Sequence, residues 1–417
     1  MNDKAGVIWE PIIGGEDILL YRKTVNDIIC AIKTDLHTKQ LEYPGVLSGN
    51  AGVCILNAYA NELEENFYSE DLTIAIEKSL NSITELEDIN FSFENGVTGI
   101  AWVIQHLAVV GKIEADFDEM FSDIIDDLKN YSIECFSNNA YDYFRYGLGF
   151  SLLILEKENI TEADIAYLNR ILDLLLSNST KFANDSLAWD TLINYSNMEP
   201  GVLNYDLGIA HGNPSIVLVL SIMYEKFKSL RNKIAPLLSS VINWMLSTKN
   251  DIATSLFPFS VNSKNIKQGY APLRWCYGDM GVAIAIFLSG KRLDNAKWQA
   301  EGIAIMANCA ERLIRELPNV TDAHICHGAA GIAHIFNRFY QYTKIDKFKD
   351  AAKICIKDIP RHINENNDGT IYFLNDTVQF GKQPSASLLE GSAGIALVLI
   401  AAISDVEPKW DRCLLLS

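Results

Sequence analysis

The sequence lacks every segment that would carry the chain into or through a membrane. A helix that crosses a bilayer needs about 18 or more consecutive apolar residues. The best run here, Ala393–Ile403, is too short. The amino terminus has no basic patch followed by an apolar stretch, so it does not have the pattern of a signal peptide. The sequence therefore predicts a cytoplasmic protein with no membrane span.

Basic residues are also scarce. The chain has 35 Lys and Arg against 53 Asp and Glu, a formal charge of −18, which argues against nucleic acid as a partner. Apolar residues make up 49% and charged residues 21%, as in an ordinary globular protein. No linker rich in Pro, Gly or Ser divides the 417 residues. We therefore expect a single domain over residues 1–417.

The eight cysteines include no Cys-x-x-Cys pair. A cytoplasmic chain of this size needs no disulfides, and its environment would reduce them. We expect free thiols, most of them buried and inert. This interpretation applies to six of the eight: Cys30, Cys54, Cys135, Cys309, Cys355 and Cys413.

A short element recurs along the whole chain: a glycine, two residues, a second glycine, and then an apolar run. Its second position falls at residues 52, 99, 149, 215, 281, 331 and 394, with spacings of 47, 50, 66, 66, 50 and 63. The third copy has Tyr146 in place of the first glycine, and the fourth has Ser215 in place of the second. A repeat of this length has room for two helices and two loops.

Each copy predicts two helices of different character. The segments between the glycine pairs have helical periodicity and charged faces, as in Asp116–Ile133 and Glu162–Leu176. The runs after the pairs, such as Val282–Leu288, are apolar all round and therefore typical of buried helices. The sequence thus predicts an all-α fold of seven outer and seven inner helices. A closed double ring is favoured over an open α-solenoid, because neither end of the repeat has a polar capping copy.

Potential zinc ligands share one position of the repeat, directly before the glycine pair. Cys276 lies two residues before Gly278, and Cys326 and His327 lie two residues and one residue before Gly328. Two thiolates and an imidazole suit Zn²⁺, and three protein ligands leave a fourth position open for substrate. His324 is the alternative third ligand, ranked second because it lies outside that position.

Four further polar residues lie at or near the same position: His211, Asp142, Arg274 and Tyr277. Each also has a simpler interpretation: in the same order, they could be a core histidine, a solvated acid, a surface charge and a packing aromatic. Together, around a metal, they form a plausible active site. His106 and His334 lie inside the apolar runs and are interpreted as core residues.

The motifs resemble those of the LanC-type lanthipeptide cyclases. The resemblance rests on the seven glycine motifs, on AHG at 210–212, on RWCYG at 274–278 and on CHG at 326–328, and it covers nearly the whole chain. It implies an α,α-toroid with one zinc ion per chain, held by Cys276, Cys326 and His327. It also implies active-site roles for His211, Asp142, Arg274 and Tyr277, and a small insertion near Thr248–Pro272.

The activity implied by the resemblance is zinc-dependent carbon–sulfur bond formation. Such a cyclase adds the cysteine thiols of a dehydrated precursor peptide to dehydroalanine or dehydrobutyrine, which forms lanthionine or methyllanthionine thioether rings. A dehydratase and an exporter in a synthetase complex are the further partners it implies. Two alternatives stay open: a relative that adds glutathione to dehydroamino acids in proteins, and a non-catalytic, zinc-stabilised toroid that binds peptides.

Overall fold

A computed structural model of the chain describes residues 8–38, 44–63, 69–85, 89–192, 201–250, 254–377 and 381–417. Within these ranges the chain is mainly helical. The α-helices are α1 Asp17–Thr38, α2 Asn50–Ala60, α3 Ser69–Glu85, α4 Val97–Val109, α5 Phe117–Phe121, α6 Ile125–Ser137, α7 Leu148–Glu156, α8 Glu162–Asn178, α9 Asn213–Lys226, α10 Arg231–Ser247, α11 Asp279–Arg292, α12 Ala296–Glu316, α13 Ala329–Thr343, α14 Asp346–Asp358 and α15 Ser392–Ile403.

Short strands accompany the helices and form three small antiparallel sheets within the described ranges. The strands are β1 Thr180–Lys181, β2 Leu187–Ala188, β3 Asn204–Asp206, β4 Ser260–Asn262, β5 Lys267–Gln268, β6 Ile363–Glu365, β7 Ile371–Thr377 and β8 Gly381–Pro384. The sheets pair β1 with β2, order β3-β4-β5, and order β6-β7-β8, with Ile363 opposite Phe373 and Leu374 opposite Pro384.

The two predicted kinds of helix are both present. The helix that follows each glycine motif is buried over most of its length, and α2 and α7 are buried at every residue. The helix before each motif buries one stripe only; in α14 this stripe is Phe348, Ala351, Ala352, Cys355 and Ile356. A helix that is apolar all round must be buried, whereas an amphipathic one buries a single face. None of the helices in the described ranges is long and apolar enough to span a bilayer.

The described residues form two compact units. One draws on residues 1–90, 94–103 and 310–416, and the other on 91–93, 104–309 and 417. In the first unit α15 packs against α1, α2 and α13, and α13 packs against α14. In the second unit α9 packs against α7, α10 and α11. A single domain over residues 1–417 stays a prediction.

Close backbone approach explains the glycines of the repeat. A Cβ atom added to Gly328 would lie 2.3 Å from the His324 backbone nitrogen, and one added to Gly331 would lie 1.9 Å from the Ile325 carbonyl oxygen. No side chain fits at these distances, so the preceding loop can pass directly over the helix start only because both positions are glycine. Gly278 also has a φ of 89°, which favours glycine.

The third and fourth copies of the repeat, which each lack one glycine, keep the turn by other local contacts. In the third copy α7 begins one residue later, and Gly147 at its start lies against the Phe136 ring, which would be 2.5 Å from an added Cβ. In the fourth copy the Ser215 hydroxyl donates a hydrogen bond to the Gly212 carbonyl, 2.8 Å away. Both copies therefore retain the loop-to-helix turn that precedes the buried helix.

Two segments differ from the predicted pattern of one outer and one inner helix in each copy. The sequence predicts one helix over Asp116–Ile133, but the structure has α5 and α6 with a break between them. The break lies at residues 122–124, between the end of α5 at Phe121 and the start of α6 at Ile125. The region Thr248–Pro272 contains β4 and β5, which extend a sheet begun by β3. Within that region, residues 251–253 lie outside the described residues.

A buried ionic cluster fixes the last part of the chain in the first unit. The Arg338 guanidinium donates to both carboxylate oxygens of Asp411, at 2.6 and 2.8 Å, and His334 Nε2 lies 2.7 Å from Asp411 Oδ2. Arg338 also donates to Glu407 at 2.9 Å. Burial raises the pKa of Asp411, but the charge of Arg338 and the hydrogen bond with His334 outweigh it and lower the pKa to about 2.

We expect Asp411→Ala to lower the free energy of unfolding by about 3–5 kcal/mol, because it leaves the Arg338 charge buried without its main partner. Glu407→Ala is the matched control, since the Glu407 side chain is 22% exposed and partly screened; its loss should be about 1 kcal/mol or less. Urea unfolding of the purified variants measures both changes. Equal losses of unfolding free energy in the two variants would contradict the role of Asp411 as the main partner of Arg338.

Candidate active site

His211 and Asp142 form a pair in the second unit, in which Asp142 is buried and His211 is half-buried. His211 lies directly before Gly212, where α9 begins, and Asp142 lies in the loop before α7. The Asp142 Oδ1 atom accepts hydrogen bonds from the backbone N–H groups of Phe144 and Arg145, at 2.6 and 3.3 Å. The Oδ2 atom contacts His211 Nδ1. One oxygen is thus held by the loop while the other orients the imidazole, whose Nε2 atom stays available to a substrate.

The charges around His211 favour its protonated form. Burial lowers the pKa of His211, but the charge of Asp142, its hydrogen bond and the charge of Asp206 raise it further than burial lowers it. The net result is a pKa above the ordinary value for histidine. An imidazolium with a raised pKa keeps its proton to higher pH and is suited to donate it.

Aromatic rings hold the imidazole from the sides. Phe144 meets His211 edge to face, with ring centroids 5.1 Å apart, and Trp275 stacks on Phe144 at 5.6 Å. The Tyr277 ring lies 6.4 Å from the His211 ring and meets Phe259 edge to face at 5.2 Å. The second unit therefore brings three of the predicted residues, His211, Asp142 and Tyr277, into one cluster.

The loop 274–278 carries three of the predicted residues. Cys276 is 6% exposed, and its carbonyl oxygen accepts a hydrogen bond from the Ala210 N–H at 3.4 Å, which ties this loop to the one that holds His211. Arg274 is half-buried, and its Nε atom has no hydrogen-bond partner in the part of the chain that the structure describes. Tyr277 is half-buried as well.

A hollow beside the pair was missed by the sequence analysis. Its lining includes Tyr141, Tyr146, Trp189 and Asp190 as well as His211. Burial raises the pKa of Asp190. No repeated motif marks Asp190, because it lies outside the position shared by the other polar residues. Only the fold brings it next to His211.

In the first unit, Cys326 and His327 lie together with a residue that was not predicted, Glu390. One potential ligand atom from each of the three lies within 4.8 Å of the other two. Cys326 is buried, and His327 and Glu390 are half-buried. The signal for Glu390 was present in the sequence, since this residue lies one position before Gly391, as His327 does before Gly328.

Asp322 orients the histidine of this group. Its Oδ2 atom lies 2.7 Å from His327 Nε2, and its Oδ1 atom accepts the His324 backbone N–H at 2.9 Å. Burial raises the pKa of Asp322, but its bonds with His324 and His327 outweigh burial and hold the pKa well below its usual range. A His327 tautomer with its proton on Nε2, the nitrogen that faces this carboxylate, would keep on Nδ1 the lone pair that a metal requires. The other candidate, His324, is fully buried, with Nδ1 3.3 Å from Asp322.

The donor set fits zinc. A thiolate, an imidazole with a carboxylate behind it and a second carboxylate are all common zinc ligands. Cys276 belongs to the second unit, and its place in the same ligand set stays a prediction.

The six cysteines outside the predicted ligand set form no disulfide, and all but Cys30 are buried. Burial raises the pKa of the Cys54 thiol to about 12 and that of Cys135 to about 11. His106 and His334 are core residues, as predicted, and each faces a buried carboxylate, Glu156 at 2.8 Å and Asp411 at 2.7 Å.

Comparison with known structures shows the fold. The chain is similar to a solved nisin cyclase, with a TM-score of 0.69 and 19% identity over 95% of this chain and 97% of that one. It is more distantly similar to a family 105 glycoside hydrolase of C. acetobutylicum ATCC 824, with a TM-score of 0.40 and 12% identity over 92% and 98% of the chains. For a sugar epimerase from a ruminal bacterium the TM-score is 0.45, with 9% identity over 93% and 98%. The first likeness confirms the predicted α,α-toroid class.

No curated protein sequence matches the chain. The sequence pattern of one family, described as lanthionine synthetase C-like protein, matches residues 44–415. That span includes every residue of the His211 pair, the loop 274–278 and the Cys326 group. The chain belongs to the lanthionine synthetase C-like family.

Proposed function

We propose that this protein is a zinc-dependent cyclase that joins precursor-peptide cysteines to dehydroalanine or dehydrobutyrine in thioether rings. The observation that carries the proposal is the Asp142–His211 pair, whose electrostatics favour a proton donor. The family match and the likeness to nisin cyclase support the same reaction. The substrate is a dehydrated precursor peptide. A cytoplasmic location and a complex with a dehydratase and an exporter belong to the same proposal.

In this proposal Cys276, Cys326 and His327 hold one zinc ion per chain. Zinc, when bound, lowers the pKa of a coordinated thiol and so makes the substrate cysteine a nucleophile at neutral pH. Asp322 accepts the Nε2 proton of His327 and fixes the ring for this role.

His211 supplies the proton that completes the addition. The substrate sulfur bonds to the β-carbon of the dehydroamino acid, and the displaced π-electrons form an enolate. The Nε2–H of His211 protonates the α-carbon, and the imidazole then regains the proton that the thiol lost. Asp142 holds the ring and stabilises its charge. Arg274 and Tyr277 are assigned to the developing negative charge of the enolate.

We expect Cys276→Ala, Cys326→Ala and His327→Ala each to lose nearly all bound zinc, because each removes one of three ligands. The matched control is His324→Ala, which removes a buried imidazole from the same loop and should keep its zinc. Metal analysis of the purified proteins, with circular dichroism to confirm the helical fold, measures both. Zinc lost from His324→Ala, or kept in any of the other three, would show that the ligand assignment is wrong.

His211→Ala should keep its zinc but form rings about 10²–10⁴-fold more slowly, which is the usual contribution of a positioned acid or base. The control is His362→Ala, since His362 is a half-buried histidine paired with Asp358 at 3.4 Å. Ring formation is measured by alkylating the cysteines that remain in a dehydrated peptide. Undiminished ring formation in His211→Ala would remove this residue from the mechanism. Transfer of glutathione in place of ring formation by the wild type would favour the glutathione-adding alternative.

The pH profile should identify His211 as an acid. Because its pKa is raised in the folded protein, the ring-forming rate should hold above the ordinary histidine range and fall as the pH rises through this raised pKa. Asp142→Asn removes the charge that raises the pKa, so the fall should move to lower pH. Measurements of kcat/KM between about pH 6 and 9 test both statements. If kcat/KM falls at the same alkaline pH in the wild type and in Asp142→Asn, the role of Asp142 is contradicted.

A further inference from the structure

Glu390 has the position of a metal ligand that the three-ligand set does not include. One of its carboxylate oxygens lies within 4.8 Å of ligand atoms of both Cys326 and His327. The Oε2 atom accepts a hydrogen bond from the Asn375 side-chain amide at 3.1 Å. The carboxylate is thus anchored at one oxygen by Asn375, on β7, while the other oxygen is left for a cation.

The backbone holds Glu390 beside Cys326. The Cys326 N–H donates to the carbonyl of Leu389, the residue before Glu390, at 3.1 Å. On the other side, a Cβ atom added to Gly391 would lie 2.3 Å from the Ser387 nitrogen, so the loop packs tightly where Glu390 leaves it. Two independent restraints therefore fix the approach of Glu390 to the cysteine, and its position does not depend on a single flexible side chain.

Charge and proton balance indicate what such a ligand could do. A carboxylate and a thiolate both carry one negative charge, so one can replace the other on a cation without a change in net charge. A thiol that enters loses its proton to water. The exchange needs no other reactant: the bond between the cation and the Glu390 oxygen breaks, and a bond between the cation and the sulfur forms.

We propose that Glu390 is an exchangeable fourth protein ligand of the metal centre, which yields its position to an incoming thiol. The inference rests on the proposed function only for the identity of this thiol, the cysteine of the precursor peptide. It makes the resting centre a closed one, in contrast to the three-ligand centre with an open position that the sequence predicts.

The test compares Glu390→Gln, an isosteric change, and Glu390→Ala with the wild type. The matched control is Glu94→Gln, which makes the same charge change at a half-buried glutamate two residues before the glycine of the second copy, 3.4 Å from the Ser48 hydroxyl. Zinc affinity is measured by competition with a chelator. Thiol binding is measured by titrating the cobalt-substituted proteins with 2-mercaptoethanol and following the visible spectrum. Circular dichroism confirms that each variant is folded.

Loss of the carboxylate should change the two readouts in opposite directions. Zinc affinity should fall by about 10–100-fold or more, which is the loss that even an outer partner of a metal ligand causes. Binding of 2-mercaptoethanol should become tighter, because the thiol no longer has to displace Glu390. Glu94→Gln should match the wild type in both. A merely structural role of Glu390 would weaken both kinds of binding together.

Unchanged zinc affinity in both Glu390 variants, or thiol binding that does not tighten, overturns the inference. Neither readout uses a peptide or measures turnover, so the outcome is separate from that of the proposed function. A wild-type protein that binds zinc but closes no rings would refute the cyclase and leave Glu390 as a ligand. Variants that bind metal and thiol as the wild type does would refute the ligand and leave the cyclase.

Discussion

The contact between a loop backbone and the Cα atom of a helix-starting glycine is the constraint on which both candidate sites depend. At Gly328 an added Cβ would lie 2.3 Å from the His324 backbone nitrogen, and at Gly212 it would lie 2.5 Å from the Asp206 carbonyl oxygen. Each contact forces the loop to turn back over the start of a buried helix. The residue before the glycine, His327 or His211, is therefore presented at the helix start. Chemistry is concentrated at this one position because the backbone there is extended at Gly212, Gly328 and Gly391 alike.

Two Asp–His pairs show how the surroundings of a histidine set its pKa. Both His211 and His334 contact an aspartate, yet the pKa of His211 is raised and that of His334 is lowered. Burial lowers both, and the difference lies in the partner. Asp411 is already neutralised by the bidentate Arg338, whose positive charge also opposes a second cation on His334. Among its described contacts, the Asp142 side chain accepts hydrogen bonds from backbone N–H groups and contacts the His211 imidazole. Its negative charge therefore acts on His211.

The sequence was sufficient for the helices and for part of the site. Continuous apolar runs and one-sided stripes predicted the buried and the amphipathic helices, because burial decides both patterns. Cys326 and His327 were predicted from their shared position. Glu390 was missed although it occupies the same position, because a glutamate before a glycine is more often a solvated residue than a ligand. Asp190 has no repeated position at all, and only the packing of the loop before β3 brings it to the hollow. The break between α5 and α6 was not predicted from the helical periodicity either.

The buried helices that follow the glycines also act through their dipoles. The amino-terminal end of an α-helix carries a partial positive charge of about half an elementary charge, which favours anions and disfavours cations nearby. In the first unit α13 begins two residues after His327, and α15 begins two residues after Glu390. Each of these ends favours a thiolate or a carboxylate at its start. In the second unit the same field at the start of α9 opposes an imidazolium at His211. The positive end of the helix dipole favours a thiolate at this turn but disfavours an imidazolium. A proton-donating histidine therefore needs a nearby carboxylate, such as Asp142, to counter the dipole.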